Sequence, residues 1–136
     1  MITEIKKQIP EIKKRDPLTE RIISCTYKVH SELGPGFNEK IYHNALKITL
    51  KEEGLNYETE KEYKVIFCEK QVGILRIDLA VENKVIVEVK AITGNMPKVF
   101  EAQVLSYLKV SNYNVGLLIN FGNKSCQVRR LMLKSL

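Results

Sequence analysis

Residues 78–90 read DLAVENKVIVEVK, and the fold turns on how this stretch pairs with itself. Side chains alternate faces along a strand. On the first strand, Ile74, Arg76, Asp78 and Ala80 share one side and Leu75, Ile77, Leu79 and Val81 the other. On the second, Ile86, Glu88 and Lys90 oppose Val85, Val87 and Val89. Apolar face must meet apolar face, which fixes the parity of the register. A hairpin symmetric about Asn83 satisfies that demand and sets Asp78 across from Glu88. A two-residue turn at Asn83-Lys84 would instead set Asp78 against Val89 and mismatch every side chain.

Opposed like charges destabilise a strand pair. Two carboxylates sharing a site also raise a pKa unless a cation intervenes. A hard divalent ion with oxygen ligands, Mg²⁺ above all, removes the conflict. Lys90, two residues beyond Glu88, is placed to stabilise developing negative charge or to orient a water. Metal, water and lysine beside one phosphate would make a phosphodiester-cleaving arrangement. The plainer account is an exposed hairpin face on which Arg76 and Lys90 screen the acids, and a D…ExK pattern alone favours it.

Strands at 57–68, 71–81 and 84–91 are expected from β-branched content and period-two alternation. Ahead of them the spacing predicts two helices. The first covers 18–33, with Thr19 as N-cap, an apolar face of Ile22, Ile23, Thr26, Val29 and Leu33, and Gly34-Pro35-Gly36 ending it. The second runs from about Asn38 to Glu53, with Asn38 as cap and a stripe of Ile41, Ala45 and Ile48 beside Leu46 and Leu50. After Thr93-Gly94-Asn95, residues 97–110 read as a helix with Pro97 near its start and Val99, Phe100, Val104, Leu105 and Leu108 on its apolar face. Strands at 114–121 and 125–133 follow, joined through Gly122-Asn123-Lys124. The order ααβββαββ implies an α/β (α+β) domain with a central mixed sheet flanked by helices.

Two short motifs add to the hairpin. Residues 34–42 read GPGFNEKIY and put Glu39 in the first turn of the second helix, with Tyr42 three residues on. A carboxylate there already suits the helix dipole. Residues 103–107 read QVLSY, and Gln103 and Tyr107 point the same way, four apart on one helix.

The chain has 136 residues, 44% of them hydrophobic and 28% charged, which suits one globular domain. Residues 1–17 read as a charged arm closed off by Pro10 and Pro17, with room for a helical turn or two, and 18–136 as the domain. No apolar run reaches bilayer length and no signal-peptide stretch opens the chain, so no membrane role and a cytoplasmic location are expected. Cys25, Cys68 and Cys126 are odd in number and show no CxxC, so buried thiols are expected rather than zinc or disulfides. His30 and His43 have no second ligand at metal spacing, which favours surface or packing roles. The net charge of +6 sits at the ends: residues 1–16 carry five bases and three acids, and 121–136 four bases and no acids. Residues 17–120 carry thirteen of each. Basic ends can touch phosphates, although most are simply solvated.

With these residues in hand, the chain resembles the GxxExxY proteins, a branch of the PD-(D/E)XK nuclease superfamily. Gly36, Glu39 and Tyr42 match the naming motif, Asp78 with Glu88-Val89-Lys90 matches D…(D/E)xK, and Gln103 with Tyr107 matches QxxxY. The resemblance covers roughly residues 18–133. It implies a restriction-endonuclease-like core and Mg²⁺, or Mn²⁺, held by Asp78, Glu88, the Val89 carbonyl and Glu39. It implies that Lys90 serves the attacking water or the scissile phosphate, that Gln103 orients Lys90 or the phosphate, and that Tyr42, Tyr107 and Arg76 support the site or the substrate. The expected activity is metal-dependent hydrolysis of phosphodiesters, in DNA before RNA. Such a small chain offers little surface for sequence specificity, so structure or end recognition, a homodimer or a targeting partner protein would supply it. Two alternatives stand beside it. One is a nucleic-acid-binding or regulatory module of the same fold with little turnover, using the basic strand around Arg129 and Arg130. The other is a compact interaction protein whose acids are surface charge.

Overall fold

The computed structural model describes residues 3–7 and 16–135. Nine elements follow one another: β1 (Thr3–Lys7), α1 (Pro17–Leu33), α2 (Glu39–Glu52), β2 (Tyr57–Phe67), β3 (Lys70–Val81), β4 (Val85–Lys90), α3 (Lys98–Ser111), β5 (Val115–Asn120) and β6 (Gln127–Ser135). One six-stranded sheet runs in the order β1-β6-β5-β4-β3-β2. Only β4 and β5 pair in parallel among these strands, which is why a helix, α3, connects them. The expected mixed sheet with helices on both faces is therefore present.

Residues 3–7 of the expected arm are extended and pair with β6, so an edge strand precedes the order read from the sequence. Residues 1–2 and 8–15, Pro10 among them, lie outside the described residues.

Two cores sandwich the sheet. On one face Ile22, Cys25 and Val29 of α1 and Tyr42, Leu46 and Leu50 of α2 pack on Val85, Val87 and Val89 of β4 and on Val115, Leu117 and Ile119 of β5. On the other, Val104, Leu105 and Leu108 of α3 cover Ile86, Leu118 and Leu131. The odd–even split along β4 and β5 follows from strand alternation. α3 lies very close to β5, since a Cβ on Gly116 would sit 2.4 Å from Val104 Cγ1.

Several expected details differ. Asp16, not Thr19, caps α1: its carboxylate accepts from the Leu18 amide at 3.0 Å, while Thr19 is buried. On α2 the buried face is Tyr42, Leu46, Thr49 and Leu50, and Ile41 and Ile48 are exposed. The stripe at 41, 45 and 48 is rotated from the true core face because it did not count Tyr42 as apolar. Val99 of α3 is exposed and Glu101 is buried in its place, paired with Arg129 of β6. Cys25 is buried and Cys126 half-buried, but Cys68 is exposed at the tip of the β2–β3 hairpin. None of the described helices is long and apolar enough to cross a membrane.

Candidate active site

The sharp turn before α2 positions the first candidate acid. Gly34 (φ 68°) and Gly36 (φ 113°) take left-handed conformations that side chains resist. Asn38 then caps α2 through the Ile41 amide at 3.1 Å, and Glu39 becomes its first residue. Tyr42 clamps this turn from inside. Its hydroxyl donates to the Gly34 carbonyl at 2.5 Å and accepts from the Phe37 amide at 3.2 Å, and its ring stacks on Phe121 at 4.6 Å. Tyr42 is fully buried, so it supports Glu39 and does not face a substrate. Glu39 itself is exposed at the open end of the helix, one turn ahead of Tyr42.

The β3–β4 hairpin has the expected symmetry about Asn83, but its ladder comprises only Ala80↔Ile86 and Val81↔Val85. Asp78 and Glu88 are therefore not a ladder pair. On the other side of β3, Glu60 takes φ 53°, and the β2–β3 ladder passes from Thr59↔Leu79 to Lys61↔Ile77 without pairing Glu60 to Asp78. Here strict alternation also fails, since Ile77 joins the α3-side core and Leu79 the α1/α2-side core. The irregularity leaves the Asp78 side chain exposed. Arg76 Nη1 lies 3.5 Å from Glu60 and Arg76 Nε 4.0 Å from Asp78. Glu39, Asp78, Arg76 and Val89 line one open cleft of about 440 Å³, together with Lys40, His43, Asn44, Lys47, Thr59 and Glu60.

Glu88 and Lys90 face α3. Lys90 Nζ lies 3.4 Å from Glu88 Oε2, with the two side chains 13% and 10% exposed. It also donates to Gln103 Oε1 at 3.4 Å and sits 4.3 Å from the centre of the Phe100 ring. Gln103 thus accepts a hydrogen bond from Lys90. Burial pushes the Glu88 carboxyl above the usual carboxylate range; Lys90 pulls it down, and the Asp78 and Glu39 charges push it up further. Tyr107 is raised by burial and then by Glu88 and Asp78, so it is a neutral phenol with a proton to donate. Glu88, Lys90, Gln103 and Tyr107 therefore form one electrostatic neighbourhood, which Asp78 and Glu39 reach from the cleft.

Asn120 is a positioning residue the sequence reading did not find. It is fully buried and lies opposite Lys90 in the β4–β5 ladder. Its Oδ1 accepts from the Ile92 amide at 2.9 Å and the Gly122 amide at 3.0 Å. Its Nδ2 donates to the Ile92 carbonyl at 3.1 Å and to Gln127 Oε1 at 3.0 Å. Asn123 holds the next turn through both the amide and the carbonyl of Gly94, each at 2.8 Å. The chain leaving Lys90 is thereby fixed. Gly122 is required for the approach, because a Cβ there would lie 2.2 Å from the Ile92 carbonyl oxygen. Nothing in the spacing marks Asn120, since it reads as the polar end of an apolar strand.

His43 and Lys47 were also missed as cleft residues. His30 does pack, stacked on Phe121 with Nε2 2.9 Å from the Asn123 carbonyl oxygen. Arg129 is engaged with Glu101, and Arg130 Nη1 is 3.5 Å from Met132 Sδ. The two arginines face opposite sides of β6, and both are partly buried, a poor fit to a basic nucleic-acid strand.

The donor set around Asp78, Glu88 and the Val89 carbonyl is all oxygen, which suits a hard divalent cation. Among the described residues, however, no three His, Cys, Asp or Glu side chains gather closely enough to hold one ion.

A family model described as the PD-(D/E)XK nuclease superfamily matches residues 16–131. No curated protein and no solved structure matches the chain significantly.

Proposed function

The chain belongs to the PD-(D/E)XK nuclease superfamily, and from that premise we propose that it is a metal-dependent nuclease hydrolysing phosphodiester bonds in DNA. GPGFNEKIY further supports placement in the GxxExxY branch. The observation that carries the reading is the nearly buried Glu88–Lys90 pair, with Gln103 on Lys90 and the Asp78 and Glu39 acids in the adjoining cleft.

Asp78, Glu88 and the Val89 carbonyl would hold the ion, Mg²⁺ or Mn²⁺, with Glu39 the added carboxylate from α2. When bound, the ion supplies Lewis acidity and a water of lowered pKa. Lys90 has three N–H donors. Glu88 and Gln103 take two of them, and the third is left for the attacking water or a phosphate oxygen. Gln103 spends its carbonyl on Lys90, so its exposed amide N–H groups are available to the same phosphate. Tyr107 keeps its proton and serves as a neutral donor beside the acids. Arg76 balances Asp78 and Glu60 at the cleft wall until a phosphate competes for it.

The test is cleavage of labelled single-stranded and duplex DNA, and of RNA, with Mg²⁺ or Mn²⁺. Lys90→Ala and Asp78→Asn are each expected to lower the rate by about 100-fold or more, with folding verified by circular dichroism. Wild-type protein that cuts no DNA or RNA with metal present overturns the proposal; cleavage of RNA alone overturns the choice of DNA. A second reading, a nucleic-acid-binding module with little turnover, is favoured by the lack of a three-acid cluster among the described residues. Salt-dependent binding without cleavage, unchanged in Glu88→Ala, would select it.

A further inference from the structure

Helix α2 carries a second feature that the chemistry above does not use. Lys40, Asn44, Lys47 and Lys51 recur at helical spacing on one side of α2. That side lies away from Tyr42, Leu46 and Leu50, which point into the core. From Lys40 to Lys51 it extends about 16 Å along the axis, at about 1.5 Å per residue. No acid interrupts it: the acids of α2 are Glu39 at its start and Glu52 at its end, and Glu52 lies 3.7 Å from Lys28 of α1. Among the described residues none of the three lysines makes a salt bridge.

Like charges four apart on a helix repel, so Lys47 and Lys51 cost stability without an ion-pair partner among the described residues. Residues 17–120 are neutral in sum, so this concentration of one sign is local. It begins in the cleft, where Lys40, Asn44 and Lys47 share the walls with Glu39 and Asp78. Lys47 is only partly exposed there. Burial, then the Lys47 charge, holds the His43 ring below the usual imidazole range, so it stands among them as an uncharged hydrogen-bonding group.

We infer that this face of α2 is the track for the phosphate backbone of the nucleic acid, carrying it away from the Asp78 end of the cleft. The inference rests on the proposed nuclease reading and deepens it, because it assigns binding of the flanking phosphates to Lys40, Lys47 and Lys51. The occupant is a phosphodiester chain: a run of ammonium groups about three turns long, without ion-pair partners among the described residues, meets a ligand with charge at regular intervals. A compact anion would need one convergent pocket instead.

The experiment is binding of a fluorescent 20-nucleotide single strand and of its duplex over a range of salt, in EDTA so that nothing is cut. Each neutralised phosphate contributes roughly 0.7–0.9 to the slope of log K against log salt. The triple variant Lys40→Gln, Lys47→Gln, Lys51→Gln is therefore expected to lose about 2–3 from the slope, with an unchanged circular dichroism spectrum. A control triple of equal charge, Lys84→Gln, Lys109→Gln, Lys124→Gln, is expected to keep the wild-type slope. An unaltered slope in the α2 variant, or an equal loss in the control, overturns the track and leaves the nuclease reading standing. Wild-type protein that binds neither probe also overturns the track, while the nuclease reading stands or falls on cleavage with metal.

Discussion

Lys90 is the residue whose surroundings are most sharply defined. Its ammonium is nearly enclosed by Glu88, Gln103 and the face of Phe100. Removing one partner of an enclosed pair leaves the other charge without compensation. Lys90→Ala is therefore expected to cost about 2 kcal/mol in urea denaturation. In a Glu88→Gln background the same change is expected to cost under about 1 kcal/mol, because no carboxylate is stranded. Equal costs in both backgrounds would show that the pair is not coupled. Glu88 also makes a pH prediction. Its folded pKa is raised, chiefly by burial, so the folded state prefers the neutral acid. Its stabilising share is full below the ordinary value of 4.5 and is lost as pH rises through the folded value. The Tm of Glu88→Gln relative to wild type should consequently rise between about pH 4 and about pH 8 in EDTA, on top of a constant loss from the stranded Lys90 charge. The thiols offer a further check. Cys68 is exposed, Cys25 is buried, and burial pushes Cys126 up to about 11. One thiol per chain should react rapidly with an aromatic disulfide reagent at neutral pH, and Cys68→Ser should abolish that phase.

Strands and their connections decide where these residues stand. The loop after β4 is held by Asn120 through four hydrogen bonds, two of them to Ile92. Asn120→Ala leaves buried backbone groups unsatisfied and is expected to cost about 3 kcal/mol, measured by urea denaturation. Gly116→Ala should cost about 1–3 kcal/mol, because α3 must move away from β5. The valines of β4 were legible in the sequence, since a buried strand writes its two faces as alternate letters. The hairpin register was legible for the same reason, down to its centre at Asn83. The break at Asp78 was not. It arises from the left-handed backbone of Glu60 on the neighbouring strand, and an acid in the middle of YETEKEYK carries no local signal for it. Tyr42 was placed on the right helix but left out of its apolar stripe, because a tyrosine counts as polar or apolar according to where its hydroxyl finds partners. Its partners are the carbonyl of Gly34 and the amide of Phe37. Asn120 escaped notice because its bonds run to residues close in space and distant in sequence.

The whole molecule is a sheet with a working centre and two different edges. β2 forms one edge, and Glu58, Glu60, Lys61, Glu62 and Lys64 line much of it. Charged side chains on an edge strand discourage pairing with another chain. Towards the hairpin tip that protection lapses, and Ile66, Phe67, Val72 and Ile74 are all more than half exposed. Because they contribute little to either core, Ile66→Ser with Phe67→Lys should alter stability by no more than about 0.5 kcal/mol per site. Sedimentation at rising concentration should show less self-association in that variant; a large loss of Tm would mean that the tip packs on the body. The other edge is β1, whose only ladder is with β6. On the ribosome the stretch 3–7 emerges early and its partner, 127–135, emerges late. At roughly 5–20 residues per second, the wait is on the order of ten seconds. Throughout it the early strand has no mate, and β5, once made, lacks its outer neighbour until β6 follows. Completion of the sheet thus waits for β6, and a translation product that stops short of it would carry open ladders on β1 and β5 into the crowded cell.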